Sequence, residues 1–149
     1  MRFLMYDRVV TLEKGRSIVG TKTFSLTDEF LRKHYGKQAV VPGVMLIESM
    51  AQLLGWLIIY SHDFNVSTFM SLIENVDIPS KLRPGFEASI HAEIISTSKR
   101  DSLGMARMFI AGRTVASIAR IIYGHSPKVD RDRLMQLFYY YSGLEITGR

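Results

Sequence analysis

HYGKQAVVPGVMLIESMAQ, residues 34–52, sets a histidine ahead of a Pro-Gly pair and then an apolar run broken by a single carboxylate, Glu48. Proline is tolerated in the first turn of a helix, where its missing N–H has no intrahelical partner, so a helix is expected to start at Pro42 or Gly43. From Val44 to Tyr60 the residues are apolar nearly all round, which predicts a helix, running to about Ser61, enclosed on most sides rather than lying on a surface. Glu48, Gln52 and Gly55 stand at i, i+4 and i+7, so a narrow polar and small stripe runs along one face. A charged acid buried there without a partner is costly, and Glu48 therefore asks for a chemical explanation.

Outward from this helix the chain reads as strands. Residues 2–13 and 16–24 are β-prone runs parted by Lys14-Gly15, the pattern of a hairpin. In Ser25-Leu26-Thr27-Asp28-Glu29, either Ser25 or Thr27 can cap a short helix reaching about Lys33. Beyond the long helix, strands are expected over Ser67 to Ile78, Glu87 to Ser98, Ser102 to Ala111 and Thr114 to Tyr123. Short turns at Lys99-Arg100-Asp101 and Ala111-Gly112-Arg113 make the last three a meander. The sum is an α+β chain: about six antiparallel strands curled around one helix. After Pro127, Asp130 to Tyr141 has the acidic start and apolar spacing of a C-terminal helix ending near Gly143, with three tyrosines expected to dock on the sheet or on another subunit.

The 149 residues fit one domain, and they hold no cysteine, which removes disulfides, thiol nucleophiles and thiolate metal sites. The formal charge of +5 suits an acidic partner, whether nucleic acid, an anionic membrane surface or an acidic carrier protein. The basic residues are scattered, with Arg32-Lys33 and Lys99-Arg100 the nearest to clusters, and this argues against nucleic acid. Membrane insertion is disfavoured by Glu48 in the middle of the longest apolar tract. Asp7 precedes any run of signal-peptide length, so retention in the cytoplasm is expected.

Three elements of acid/base chemistry meet in residues 34–52. His34 titrates near neutrality and can act as a base. Glu48, in apolar surroundings, holds a proton more tightly than an acid in water and can donate it. The free N–H groups of Gly43 and Val44 at the helix start can polarise a carbonyl. Together they suit proton removal next to a carbonyl. His62, His91 and His125 lack any carboxylate pattern with metal-ligand spacing and read as surface or structural residues.

The whole string resembles the signature of the β-hydroxyacyl-acyl-carrier-protein dehydratases of bacterial fatty-acid synthesis, approximately H-F-P-x-x-P-x-x-P-G-V-L-x-x-E-A-M-A-Q. The spacing of fourteen from His34 to Glu48 is kept, with Pro42-Gly43-Val44 and Met50-Ala51-Gln52 in register. Asp7-Arg8 in the first hairpin, Ser71 to Pro84 and the Gly112 to Ala116 turn are similar to the family as well, so residues 2–124 are covered. Lys33, Gly36 and Ala39 depart from it, standing where the family has glycine, proline and proline; lost prolines loosen the turn that carries His34.

The resemblance implies a hotdog domain over 1–126, with 127–149 as a helical tail that is not a separate domain. It implies an unaided hydro-lyase without metal or nucleotide, acting on an acyl-carrier-protein thioester. The enzyme would be a homodimer with sites shared between subunits, with a trimer of dimers left open. His34 would remove the α-proton, Glu48 of the other subunit would help the β-hydroxyl leave, the Gly43 amide would bind the thioester oxygen, and Gln52 would hold Glu48. The alternatives are a hydratase or thioesterase acting on coenzyme A thioesters, or a noncatalytic acyl-binding partner. Phe30, Tyr35 and Phe69 line an acyl tunnel or belong to an ordinary core.

Overall fold

The computed structural model describes residues 3–31 and 37–145. Its strands are β1 (Arg8–Glu13), β2 (Ser17–Phe24), β3 (Ser67–Asp77), β4 (Phe86–Thr97), β5 (Asp101–Ile110) and β6 (Arg113–Ser126); its helices are α1 (Gly43–Ser61) and α2 (Arg131–Ser142). All strand pairs are antiparallel, in the order β1-β2-β4-β5-β6-β3. The sheet wraps α1, which is the hotdog arrangement expected.

α1 is long and apolar enough to cross a membrane, yet the sheet encloses it: Leu46, Met50, Leu53, Leu54, Leu57 and Ile58 are completely buried. The concave face of the sheet accepts it because that face is small. Ala88, Ala92, Ala106 and Ala116 point inward, and a Cβ built on Gly104 would stand 2.6 Å from Leu54 Cδ2. Such close approach gives the contact density of a protein interior, at which even one added methyl is felt. Turn chemistry follows the sequence closely. Ala111 and Gly112, at φ 49° and 78°, form the two-residue primed turn that matches strand twist between β5 and β6. Asp7 ties the first hairpin together by accepting from Thr23 N at 2.6 Å and pairing with Lys22.

The helix expected to reach about Lys33 runs past the described residues; within them a 3-10 turn, Glu29–Leu31, follows the hairpin, and neither Ser25 nor Thr27 caps an α-helix. Asp28 folds back instead, its carboxylate accepting from Ser25 N at 2.9 Å while its own N–H donates to Ser25 O. Within that turn Leu31 is the buried residue. Lys33 lies outside the described residues.

The C-terminal helix forms where expected, with the Asp130 side chain capping Arg133 N and Gly143 closing it at φ 73°. It touches β1 of the sheet, as expected, and packs most closely on α1. Phe138, completely buried, meets Trp56 and Tyr60 of α1 and Phe64 at ring-centroid distances of 5.6–5.7 Å. Tyr139 joins this cluster and Tyr140 faces solvent. Phe64 has φ 60°, uncommon for a bulky residue, and sits where Phe64 N donates to Ile59 O just past the end of α1.

Candidate active site

α1 enters from a loop held by the Val41 N–H bonding to Leu82 O at 2.8 Å. Pro42 caps the helix with extended backbone, so Gly43 is its first helical residue. No side chain caps this end, and the N–H groups of Gly43 and Val44 have no acceptor among the described residues. They are two donors at the positive end of a helix dipole. Ile78, just beyond β3, presses on this turn. A Cβ on Gly43 would lie 2.4 Å from Ile78 Cδ1, so a larger residue there requires that terminal methyl to swing aside.

One turn further along, Glu48 is half-buried and faces a cavity of about 250 Å³. Its Oε1 accepts a 2.7 Å hydrogen bond from Gln52 Nε2. The same nitrogen donates to Phe3 O at 2.8 Å, and Gln52 Oε1 accepts from Met5 N at 2.8 Å. Because a backbone N–H can only donate and a carbonyl can only accept, Phe3 and Met5 dictate which end of the amide faces Glu48. The carboxylate therefore always meets a donor through Oε1. Its Oε2 makes no hydrogen bond among the described residues.

The remaining walls are Ala51, Gly55, Trp56 and Ile59 from α1, Thr68 and Met70 from β3, and Tyr123 from β6. Gly55 lets β3 come close: a Cβ there would approach Thr68 Oγ1 at 3.2 Å. Burial, with a smaller contribution from the Glu48 charge, pushes the Tyr123 phenol well above its ordinary range. It stays protonated and donates to Ala51 O. The cavity thus offers one carboxylate with an open oxygen, an ordered amide and a largely apolar wall, with the carboxylate within reach of a group bound there.

Glu48 and Gln52 thus share the cavity, and Gly43 and Val44 stand one turn earlier on the same helix. His34 and Tyr35 lie outside the described residues. Phe30 packs edge-on against Phe24, and Phe69 of edge strand β3, 57% exposed, lies over Gly124 of β6; neither lines this cavity. Trp56, Ile59, Thr68, Met70 and Tyr123 were not singled out by the sequence. Trp56 carried a usable signal, being four residues on from Gln52, whereas Tyr123 arrives only through pairing of β6 with β3 and β5. Among the described residues no group of three or more His, Asp or Glu side chains is placed to hold a metal ion.

The FabA-like domain family matches residues 1–119 of the chain. A 3-hydroxyacyl-[acyl-carrier-protein] dehydratase FabZ of Pediococcus pentosaceus is 36% identical over 107 residues, 71% of this chain and 70% of the relative. The FabZ of Levilactobacillus brevis is 32% identical over 122 residues, 80% and 81% of the two chains. Among solved structures, the dehydratase heterocomplex ApeI:P of Xenorhabdus doucetiae superposes with a TM-score of 0.68 at 16% identity, covering 91% of this chain and 89% of that one. A Streptococcus mutans protein bound to acetyl-CoA gives 0.67 at 14% identity, covering 87% and 96%. At such identities these structures speak for the fold, while the sequence matches speak for the family. The chain belongs to the FabA-like domain family.

Proposed function

We propose that the chain dehydrates (3R)-3-hydroxyacyl thioesters of acyl carrier protein to trans-2-enoyl thioesters in fatty-acid or related lipid synthesis. The observation that carries this reading is Glu48: a carboxylate held by an oriented amide, with one free oxygen facing an apolar cavity, in a chain whose relatives are named for this reaction. His34 takes the proton from the α-carbon, and the electron pair left behind forms the Cα–Cβ double bond. The C–O bond at the β-carbon breaks as Glu48 delivers a proton, so that hydroxide leaves as water. Negative charge passing through the thioester oxygen meets the N–H groups of Gly43 and Val44. Gln52 positions Glu48.

The active unit is a homodimer in which His34 and Glu48 of one site come from different subunits. Support comes from β3, an edge strand that exposes Phe69, Met70 and Leu72, and from Val44, 65% exposed at the helix start. An apolar edge of this kind is a template for pairing with a second chain. Assembly into a trimer of dimers is a further step of the same proposal. The domain doing the chemistry spans 1–126, and 127–149 is its appendage. The enzyme works in the cytoplasm, where its partner is acyl carrier protein.

The test is formation of the conjugated enoyl thioester from 3-hydroxyacyl carrier protein, followed by ultraviolet absorbance. His34→Ala and Glu48→Gln should each abolish it. Activity surviving both substitutions would sink the reading, and release of free thiol during turnover would identify a thioesterase instead.

A further inference from the structure

The Glu48 cavity has a neighbour along α1. The second, about 320 Å³, is lined by Phe3, Leu4, Gln52, Trp56, Leu137 and Tyr141. Gln52 and Trp56 border both, so the two spaces lie on either side of one i, i+4 ridge of the helix. The second stands at the lower end of the range of ligand sites, about 300–1,000 Å³, and the first just below it.

Two anchors hold the second space open. The hydrogen bonds from Gln52 to the backbone of Phe3 and Met5 fix the N-terminal wall. On the other side, buried Phe138 clamps α2 against Trp56, and Leu137 and Tyr141, on the flank of α2 beside it, turn toward the cavity. Apart from the Gln52 amide the lining is aliphatic and aromatic, without a charged side chain, which suits an uncharged hydrocarbon.

We infer that the acyl chain of the thioester continues past Trp56 into this α2-walled compartment, and that Leu137 and Tyr141 set the chain length accepted. The inference rests on the thioester reading above, because it places the β-carbon at Glu48 and runs the chain away from it. A substrate with a short chain fills only the first cavity. A longer one gains the contacts of the second.

Trp56 is the sole tryptophan, so its fluorescence reports occupancy without any chemistry. The probes are saturated butyryl, octanoyl and dodecanoyl pantetheine, which carry no hydroxyl to eliminate. Affinity should rise by about fourfold for each methylene that enters, the equivalent of about 0.8 kcal/mol per buried CH₂. Leu137→Phe, which fills the compartment, should lower dodecanoyl affinity relative to butyryl by about tenfold, and Tyr141→Ala should extend the gain to longer chains.

Affinity that stays flat beyond butyryl, or variants that weaken all three probes equally, would overturn the inference. The two proposals fail separately. A protein that binds chains in this pattern but forms no enoyl thioester refutes the dehydratase reading and keeps the compartment, whereas an active dehydratase indifferent to chain length does the reverse.

Discussion

Gln52 Nε2 donates to Glu48 Oε1 at 2.7 Å while the same amide is clipped to the backbone of Phe3 and Met5, so the orientation of the acid is set by the first strand-like segment of the chain. Gln52→Leu keeps the volume and removes all three bonds. A partner that orients an acting group is typically worth about 10- to 100-fold in activity, and that loss should fall on kcat with KM little changed. The substitution also leaves the part-buried Met5 N–H unpaired, costing about 1–3 kcal/mol in urea denaturation, while the exposed Phe3 carbonyl turns to water. Turnover equal to the parent's would mean that Glu48 needs no holding.

Gly43 and Ile78 interlock at the start of α1, where Ile78 Cδ1 occupies the place of a Cβ. Gly43→Ala should therefore force the Ile78 methyl into another rotamer, at a cost of about 0.5–1.5 kcal/mol, and shift the helix-start N–H groups, lowering kcat. Ile78→Val deletes the offending methyl, since the next nearest atom, Ile78 Cγ1, stands at 3.5 Å from that Cβ. The double variant should recover most of both losses. If it recovers neither, the helix start is sensitive for some reason other than this contact.

Much of this site was legible in the sequence because it is local. Glu48, Gln52 and Gly55 share a helix face by period alone, and Pro42-Gly43 marks where that helix begins. The strands were equally clear in β4, β5 and β6, where alternation and short turns coincide. Legibility failed where distant segments decide. Tyr123 reaches the cavity only through strand register, and the backbone of Phe3 and Met5 reaches Gln52 from 49 and 47 residues away in sequence. The segment after Phe24 misled because Ser, Thr and Asp look alike at a helix cap and in a turn. α2 was placed correctly, but its closest partner could not be, since an amphipathic helix names its own buried face and not the surface that receives it.

His62 and His125 face each other edge-on at 4.7 Å, joined through Thr97 and Ser102: His62 Nε2 meets Thr97 Oγ1 at 2.8 Å, Thr97 Oγ1 meets Ser102 Oγ at 2.6 Å, and Ser102 Oγ meets His125 Nε2 at 2.8 Å. The exposed Lys14–Asp63 ion pair adjoins this group, with the Arg131 side chain on Asp63 O and the Arg100 carbonyl on His125 N. Burial first, and the neighbouring His125 second, hold His62 below the ordinary imidazole value of 6.5; Asp63 opposes them more weakly. The unfolded chain then binds a proton more readily than the folded one between the two values. Stability should be full above pH 6.5 and fall as pH drops through the lower folded value. Urea midpoints measured across this window should show the fall, and His62→Gln should flatten it. An unchanged slope in that variant would assign the effect to other groups.

The shared site makes a prediction about mixtures. If His34 and Glu48 of one site come from different chains, His34→Ala and Glu48→Gln homodimers are each inactive, yet a heterodimer of the two holds one site with both residues intact and one with neither. Unfolding and refolding an equimolar mixture gives about half heterodimers, and activity should return to about a quarter of the parent value. Sites built within one chain would give no return at all, because every site would carry one defect. The exposed apolar side chain of Leu72 on edge strand β3 provides the control. Leu72→Asp puts an unpaired charge into the proposed interface, so it should yield monomers by sedimentation and abolish the recovery in the mixture.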